Sequence, residues 1–177
     1  TLDKRYFPTK GLKTNISYTI YTNLHTNTAY SSLAAQVTKI FPITLNTFII
    51  PTIYGRFIFN DGIPFMYSNV IGGEGYNPHY EQQIPFSGLT HTESTLKLLG
   101  NAQIQVRHKF HEKQYLTLSG NYAIHQNQFS NFLQGKKIYG TSIGYGYDSP
   151  LGPIEGFICY SNRTNKLGFY LNIGFGF

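Results

Sequence analysis

Gly140-Thr141-Ser142-Ile143-Gly144 fits the G-x-S-x-G pattern of a serine hydrolase, which makes Ser142 the first candidate nucleophile. That chemistry needs a sharp strand-to-helix turn to lift the hydroxyl out of a sheet. Here the pentapeptide runs on into Tyr145-Gly146-Tyr147 with a period of two, so Ser142 is expected inside a strand and without a catalytic role. His108 and His111 are spaced like zinc ligands, but one falls in strand period and the other at a turn, and no third ligand is placed to join them. Glu74, Glu81, Glu93 and Glu112 never pair on one strand face, which leaves acid/base chemistry no home. The single Cys159 rules out an internal disulfide and reads as a small apolar strand residue. The chain is therefore expected to hold no catalytic residue, no metal and no cofactor of its own. Lys97, Arg107 and Lys109 have the better claim to function, because they share one face of a strand and could hold a folded-in loop through Glu74 or Glu81.

The elements that would carry these residues are strands. From Thr95 to Phe110, Leu96, Leu98, Ala102, Ile104, Val106 and Phe110 oppose Lys97, Asn101, Gln103, Gln105, Arg107 and Lys109. In the last eleven positions Leu167, Phe169, Leu171, Ile173, Phe175 and Phe177 alternate with Gly168, Tyr170, Asn172, Gly174 and Gly176. A period of two gives a strand one apolar face. Glycine and asparagine on the other face cannot fill a core, so the apolar face is expected against lipid and the small face toward a wet lumen. Similar alternation recurs through Leu12–Leu24, Tyr30–Phe41, Leu116–Ile124 and Tyr139–Tyr147. Thr47–Phe59 is apolar on both faces, which suggests that a loop or plug covers its inner side. With shorter segments near Pro64–Ile71 and Ile154–Tyr160, the pattern predicts about nine strands, an odd number that would leave strands missing from the front. Gly72-Gly73 opens a region to residue 92, rich in Gly, Pro, Asn and Gln. Structureless loops of about twenty residues are uncommon and usually functional.

Composition agrees with a barrel in a membrane. The 177 residues are 41% hydrophobic and only 12% charged, yet no run approaches the roughly 18 apolar residues of a membrane helix. Aromatics make up 16%, with 15 Tyr and no Trp, and tyrosine suits the membrane–water interface. The net charge of +6 is scattered and forms no nucleic-acid patch, so nucleic acid is excluded as a partner. Lumen charge or contact with anionic headgroups accounts for it better.

Three motifs carry a resemblance. Thr1-Leu2-Asp3-Lys4-Arg5-Tyr6-Phe7-Pro8-Thr9-Lys10-Gly11 resembles the D-x-x-x-F-P-T-x-G turn of the BamA/TamA surface-antigen superfamily. Ser149-Pro150-Leu151-Gly152-Pro153 is similar to that superfamily's penultimate turn, and Phe169–Phe177 to its closing strand. The resemblance implies an all-β, transmembrane antiparallel β-barrel. The chain, 1–177, would be one domain supplying the C-terminal part, about 8–10 strands of a sixteen-stranded barrel. It implies that the loop at 72–92, with Gly72, Gly73, Glu74 and Glu81, folds into the lumen. Phe169, Leu171, Ile173, Phe175 and Phe177 would form the strand read by the barrel insertion machinery. The family's arginine-glycine-aromatic loop tip is absent, and the sequence from Tyr76 to Phe86 looks more like the barrels of bacterial patatin-like phospholipases. That likeness implies a non-catalytic anchor or translocator in the outer membrane of a Gram-negative bacterium. Its partners would be outer-membrane lipid and lipopolysaccharide, the insertion machinery and upstream domains of the same protein, with any serine hydrolase lying upstream. An assembly factor of the BamA/TamA kind, or a small self-contained pore or adhesin, are the alternatives.

Overall fold

The computed structural model describes residues 2–4, 6–23, 28–61, 63–73, 82–89, 91 to 174. Its strands are β1 (Gly11–Asn23), β2 (Thr28–Pro42), β3 (Thr47–Ile58), β4 (Asn69–Ile71), β5 (Gln83–Ile84), β6 (Glu93–Thr95), β7 (Leu98–His111), β8 (Gln114–Gln126), β9 (Lys136–Ser149), β10 (Gly152–Ser161) and β11 (Leu167–Ile173). Eight of them form one up-and-down antiparallel sheet in the order β1-β2-β3-β7-β8-β9-β10-β11, with β1 and β11 at its two ends.

Alternation decides which way each residue faces. Ile16, Ile53, Ile104, Leu118, Ile143, Ile158, Phe169 and Leu171 all stand exposed on the outward face, as a lipid-facing wall requires. On the inward face of β8 and β9, Tyr115, Thr117, Ser119, Asn121, Ile138 and Ser142 are buried. Lys39 lies on the outward side of β2, close to a strand end, with its ammonium 4.6 Å from the centre of the Phe41 ring. A long side chain there can reach the interface. Pro51 lacks an N–H to give to the ladder, and the β2–β3 pairing is interrupted opposite it, between Thr38↔Thr52 and Phe41↔Ile49, with the register unchanged on either side.

At one end of the sheet the connections are residues 43–46, 112–113 and 150–151; at the other they include 59–97, 127–135 and 162–166. Short periplasmic turns and long extracellular loops give barrels this asymmetry. The strand count corrects the expected nine. Pro64–Ile71 contributes only a 3-10 turn, Phe65–Tyr67, and the three-residue β4. β4 pairs with β5 and β6 in a separate small sheet, so the large sheet has an even number of strands and parity gives no reason to add more.

That small sheet lies on the inward face. Ile71, Ile84, Phe86 and Leu89 from the long loop pack with Leu99, Ala123 and Ile138 of the wall, and Tyr54 closes the cluster. A second cluster, Ile40, Phe48 and Ile50, is covered by Leu2. The inner side of β3 is therefore covered by the segment that precedes β1 at Phe48 and Ile50 and by the long loop at Tyr54.

Candidate functional site in the lumen

The long loop is turned inward by two glycines. Gly72 and Gly73 have φ of 125° and 76°, a left-handed region that costs other residues dearly. A Cβ on Gly72 would also sit 2.2 Å from the His91 carbonyl oxygen. Between them the glycines join β4 to the returning chain. Gly72 N–H donates to the Ile84 carbonyl at 3.0 Å, and Phe86 N–H donates to the Gly73 carbonyl at 2.9 Å. Gln83 Nε2 donates to the Gly72 carbonyl at 2.7 Å.

The loop tip, Phe86-Ser87-Gly88-Leu89, rests on the wall. Ser87 Oγ lies 2.9 Å from Ser119 Oγ and 3.3 Å from Ser142 Oγ, and donates to Asn121 Oδ1 at 2.9 Å. Ser119 and Ser142 are 2.6 Å apart. Each hydroxyl has one proton to give, and one direction uses all three: Ser142 donates to Ser119, Ser119 to Ser87, and Ser87 to Asn121. Two glycines make the approach possible. A Cβ on Gly140 would lie 1.9 Å from the Ser87 carbonyl oxygen, and one on Gly88 would lie 2.3 Å from the Tyr160 backbone.

The base of the loop is held by Arg56, buried on the inner face of β3. Its guanidinium donates to Asn69 Oδ1 at 3.0 Å, to the Ser68 carbonyl at 3.3 Å and to Ser32 Oγ at 3.2 Å. Asn69 in turn donates to the Leu96 and Lys97 carbonyls, both at 2.8 Å. Glu93 accepts from Arg163 Nε at 3.0 Å, which ties the loop to the turn before β11. The site is thus a hydrogen-bonded seat, uncharged under the loop tip and held at its base by Arg56 and the Glu93–Arg163 pair, that keeps the loop on the sheet's inward face.

A sequence model of the OMP85 superfamily matches residues 1–177. The chain belongs to the OMP85 superfamily. No curated protein matches it. Membership makes it an outer-membrane β-barrel of the assembly and translocation type, and the long-connection end of the sheet is then its extracellular side.

The residues singled out from the sequence of this OMP85 chain are spread along the barrel. Gly72 and Gly73 form the loop hinge; Glu74 and Glu81 lie outside the described residues, as do Phe175 and Phe177. Lys97 precedes β7 at the extracellular rim and is ion-paired with Asp61 of the same loop. Arg107 lies ten residues further on, about 33 Å away at strand rise, and Lys109 lies beyond it. The structure does not bring these three together. Phe169, Leu171 and Ile173 are exposed on the outward side of β11.

Arg107 meets a second inward element at the periplasmic end. Asp3 accepts from the Thr9 and Lys10 N–H groups at 2.9 and 3.2 Å and from the Thr9 hydroxyl at 2.5 Å. Partial desolvation pushes its carboxyl up, but these hydrogen bonds outweigh it and bring the pKa down to about 2. The turn so closed drives Phe7 inward at φ 44°. Its ring stacks on Tyr115 at 4.2 Å and 3°, with the Arg107 guanidinium 5.4 Å from its centre. A Cβ on Gly146 would come within 2.8 Å of that ring.

Ser142 sits mid-strand in the hydroxyl cluster, with no turn to present it. His108 Nδ1 is 2.9 Å from Thr47 Oγ1, and among the described residues no three His, Cys, Asp or Glu side chains are grouped to hold a metal. Sequence reasoning missed Arg56, Ser87, Ser119, Asn121 and the fitting role of Gly140. The available signal was Ser119, Asn121, Gly140 and Ser142 together: small or amide side chains on the inner faces of two adjacent strands.

Proposed function

We propose that this barrel is the membrane anchor and translocator of a patatin-like phospholipase and is itself non-catalytic. The observation that carries the proposal is the uncharged seat of Phe86-Ser87-Gly88 on Ser119, Asn121, Gly140 and Ser142. A tip held by shape and neutral hydrogen bonds, in a wall with a glycine cut out for it, suits a lumen kept filled while another domain works. The resemblance around Tyr76–Phe86 supplies the hydrolase class, and the lipid substrate would be met in the membrane that the barrel occupies. The partners on this reading are lipopolysaccharide, the insertion machinery and a hydrolase domain on the same polypeptide, in a Gram-negative cell.

An assembly factor acting on other barrels is the second reading. β11 lies at one end of the sheet, and an end strand is the place where a barrel seam would open. Intact mass of the native protein from outer membranes, with peptide sequencing, separates the two. Expected is a much larger chain carrying a strand-to-helix serine elbow ahead of Thr1, with phospholipase activity lost on changing that serine. Periplasmic repeats with no hydrolase would overturn the anchor reading in favour of the assembly factor.

A further inference from the structure

The connection between β8 and β9 folds over the outward face of the sheet. Gly100 faces outward, since Ala102 and Ile104 beyond it do, and a Cβ there would lie 3.0 Å from Phe132 Cζ. The Phe129 ring sits 5.4 Å from that of Phe57, an outward residue of β3. Leu98 on the same face is 1% exposed, unlike the lipid-facing residues below it. The 3-10 turn Phe129–Gln134 is therefore clamped to the outer wall of β3, β7 and β8, while Phe129 and Leu133 remain 63% and 75% exposed. Water gives no reason to hold two large apolar side chains outward on a docked turn, whereas lipid does.

The chemistry beside the turn narrows which lipid. The cross-strand row Gly100↔Ile124↔Lys137 puts Lys137 two strands from the Phe132 contact, about 10 Å at sheet spacing. Lys137 is exposed on the outward face, and Tyr122↔Tyr139 form the next row toward the membrane centre. Tyrosines at that depth mark the headgroup level. Two described carboxylates of this rim, Asp61 and Glu93, are taken up by Lys97 and Arg163, which leaves the patch cationic.

We infer that the Phe129–Gln134 turn and Lys137 form a binding site for a phosphorylated lipid of the outer leaflet, its headgroup against Phe129 and Leu133 and its phosphate on Lys137. The inference rests on superfamily membership and not on the phospholipase reading, so either can fail alone.

Photo-crosslinking tests it. The native protein with Phe129→p-benzoylphenylalanine is placed in phosphatidylcholine nanodiscs containing either bisphosphorylated lipid A or its dephosphorylated form. Leu118→p-benzoylphenylalanine, on the mid-wall, reports folding and general lipid contact. Expected is an adduct at position 129 that favours phosphorylated lipid A about fivefold for the one lysine engaged. That preference should vanish in Lys137→Ala, while position 118 crosslinks both lipids alike. Adducts at 118 with none at 129 would overturn the site. Equal adducts at 129 with and without phosphate, or a preference unmoved by Lys137→Ala, would overturn the headgroup assignment.

Discussion

Gly140 faces the Ser87 carbonyl at a distance no Cβ tolerates, so a single methyl should lever the loop tip off the wall. Gly140→Ala is expected to destabilise the barrel by about 1–3 kcal/mol, the usual cost of overpacking, and to expose the Phe86–Leu89 segment to added protease. Heat-modifiable gel migration and limited proteolysis would register both effects. Ser119→Ala keeps the space but interrupts the hydroxyl chain between Ser142 and Ser87, and should cost about 1–2 kcal/mol for the unpaired buried groups. Unchanged denaturation of Ser119→Ala would show that the contact carries no energy. These residues also mark where sequence reading stopped. Ser142 drew notice as a false nucleophile, and period two was enough to dismiss that role. The loop residue it helps to seat, Ser87, lies 55 residues away among common residue types, and nothing local in Pro85-Phe86-Ser87-Gly88 announces a lock. Arg56 was hidden similarly, inside a strand whose two faces are both mostly apolar.

Among the elements, the outward faces were legible because lipid demands one class of residue at every second position, and β1, β2, β7, β8, β9 and β11 follow it. The inner elements were not, since β4, β5 and β6 have three residues or fewer and too little length to show a period. The turn before β1 is a case between these. Its Asp-x-x-x-Phe-Pro-Thr spacing was visible, whereas the reach of Phe7 to Tyr115 was not. Phe7→Ala should cost about 3 kcal/mol or more, because a fully buried ring leaves a cavity between Tyr115 and Arg107. The clasp behind it has a pH signature. Asp3 has a folded pKa of about 2, below the unfolded value of about 4, so its contribution is complete above pH 4 and is lost as pH falls toward 2. Asp3→Asn is expected to be less stable than the parent at pH 7, and the gap should close between pH 4 and 2. A gap that persists unchanged at pH 2 would refute the carboxylate's part in the clasp.

At the scale of the whole molecule the question is what the free sides of β1 and β11 pair with, since unpaired backbone does not survive in lipid. Eight antiparallel strands could in principle close on themselves. An eight-stranded barrel, however, has an interior only wide enough for its own side chains. Here the concave face already holds the β4–β5–β6 sheet, the Phe86–Leu89 tip and the Phe7 ring. The lumen contents therefore favour a wider barrel in which β1 and β11 face other strands, and they disfavour the small self-contained pore. Cysteine pairs across the two edges test this directly, for instance Ile16, Tyr18 or Ile20 of β1 combined with Phe169 or Leu171 of β11. The native Cys159 is buried on the inner face and will not compete. A disulfide needs Cα atoms within about 7 Å, so no pair should bridge in oxidised outer membranes if further strands intervene. High-yield bridging at one register would mean that eight strands do close, and the seated loop would then have to leave the lumen to let them.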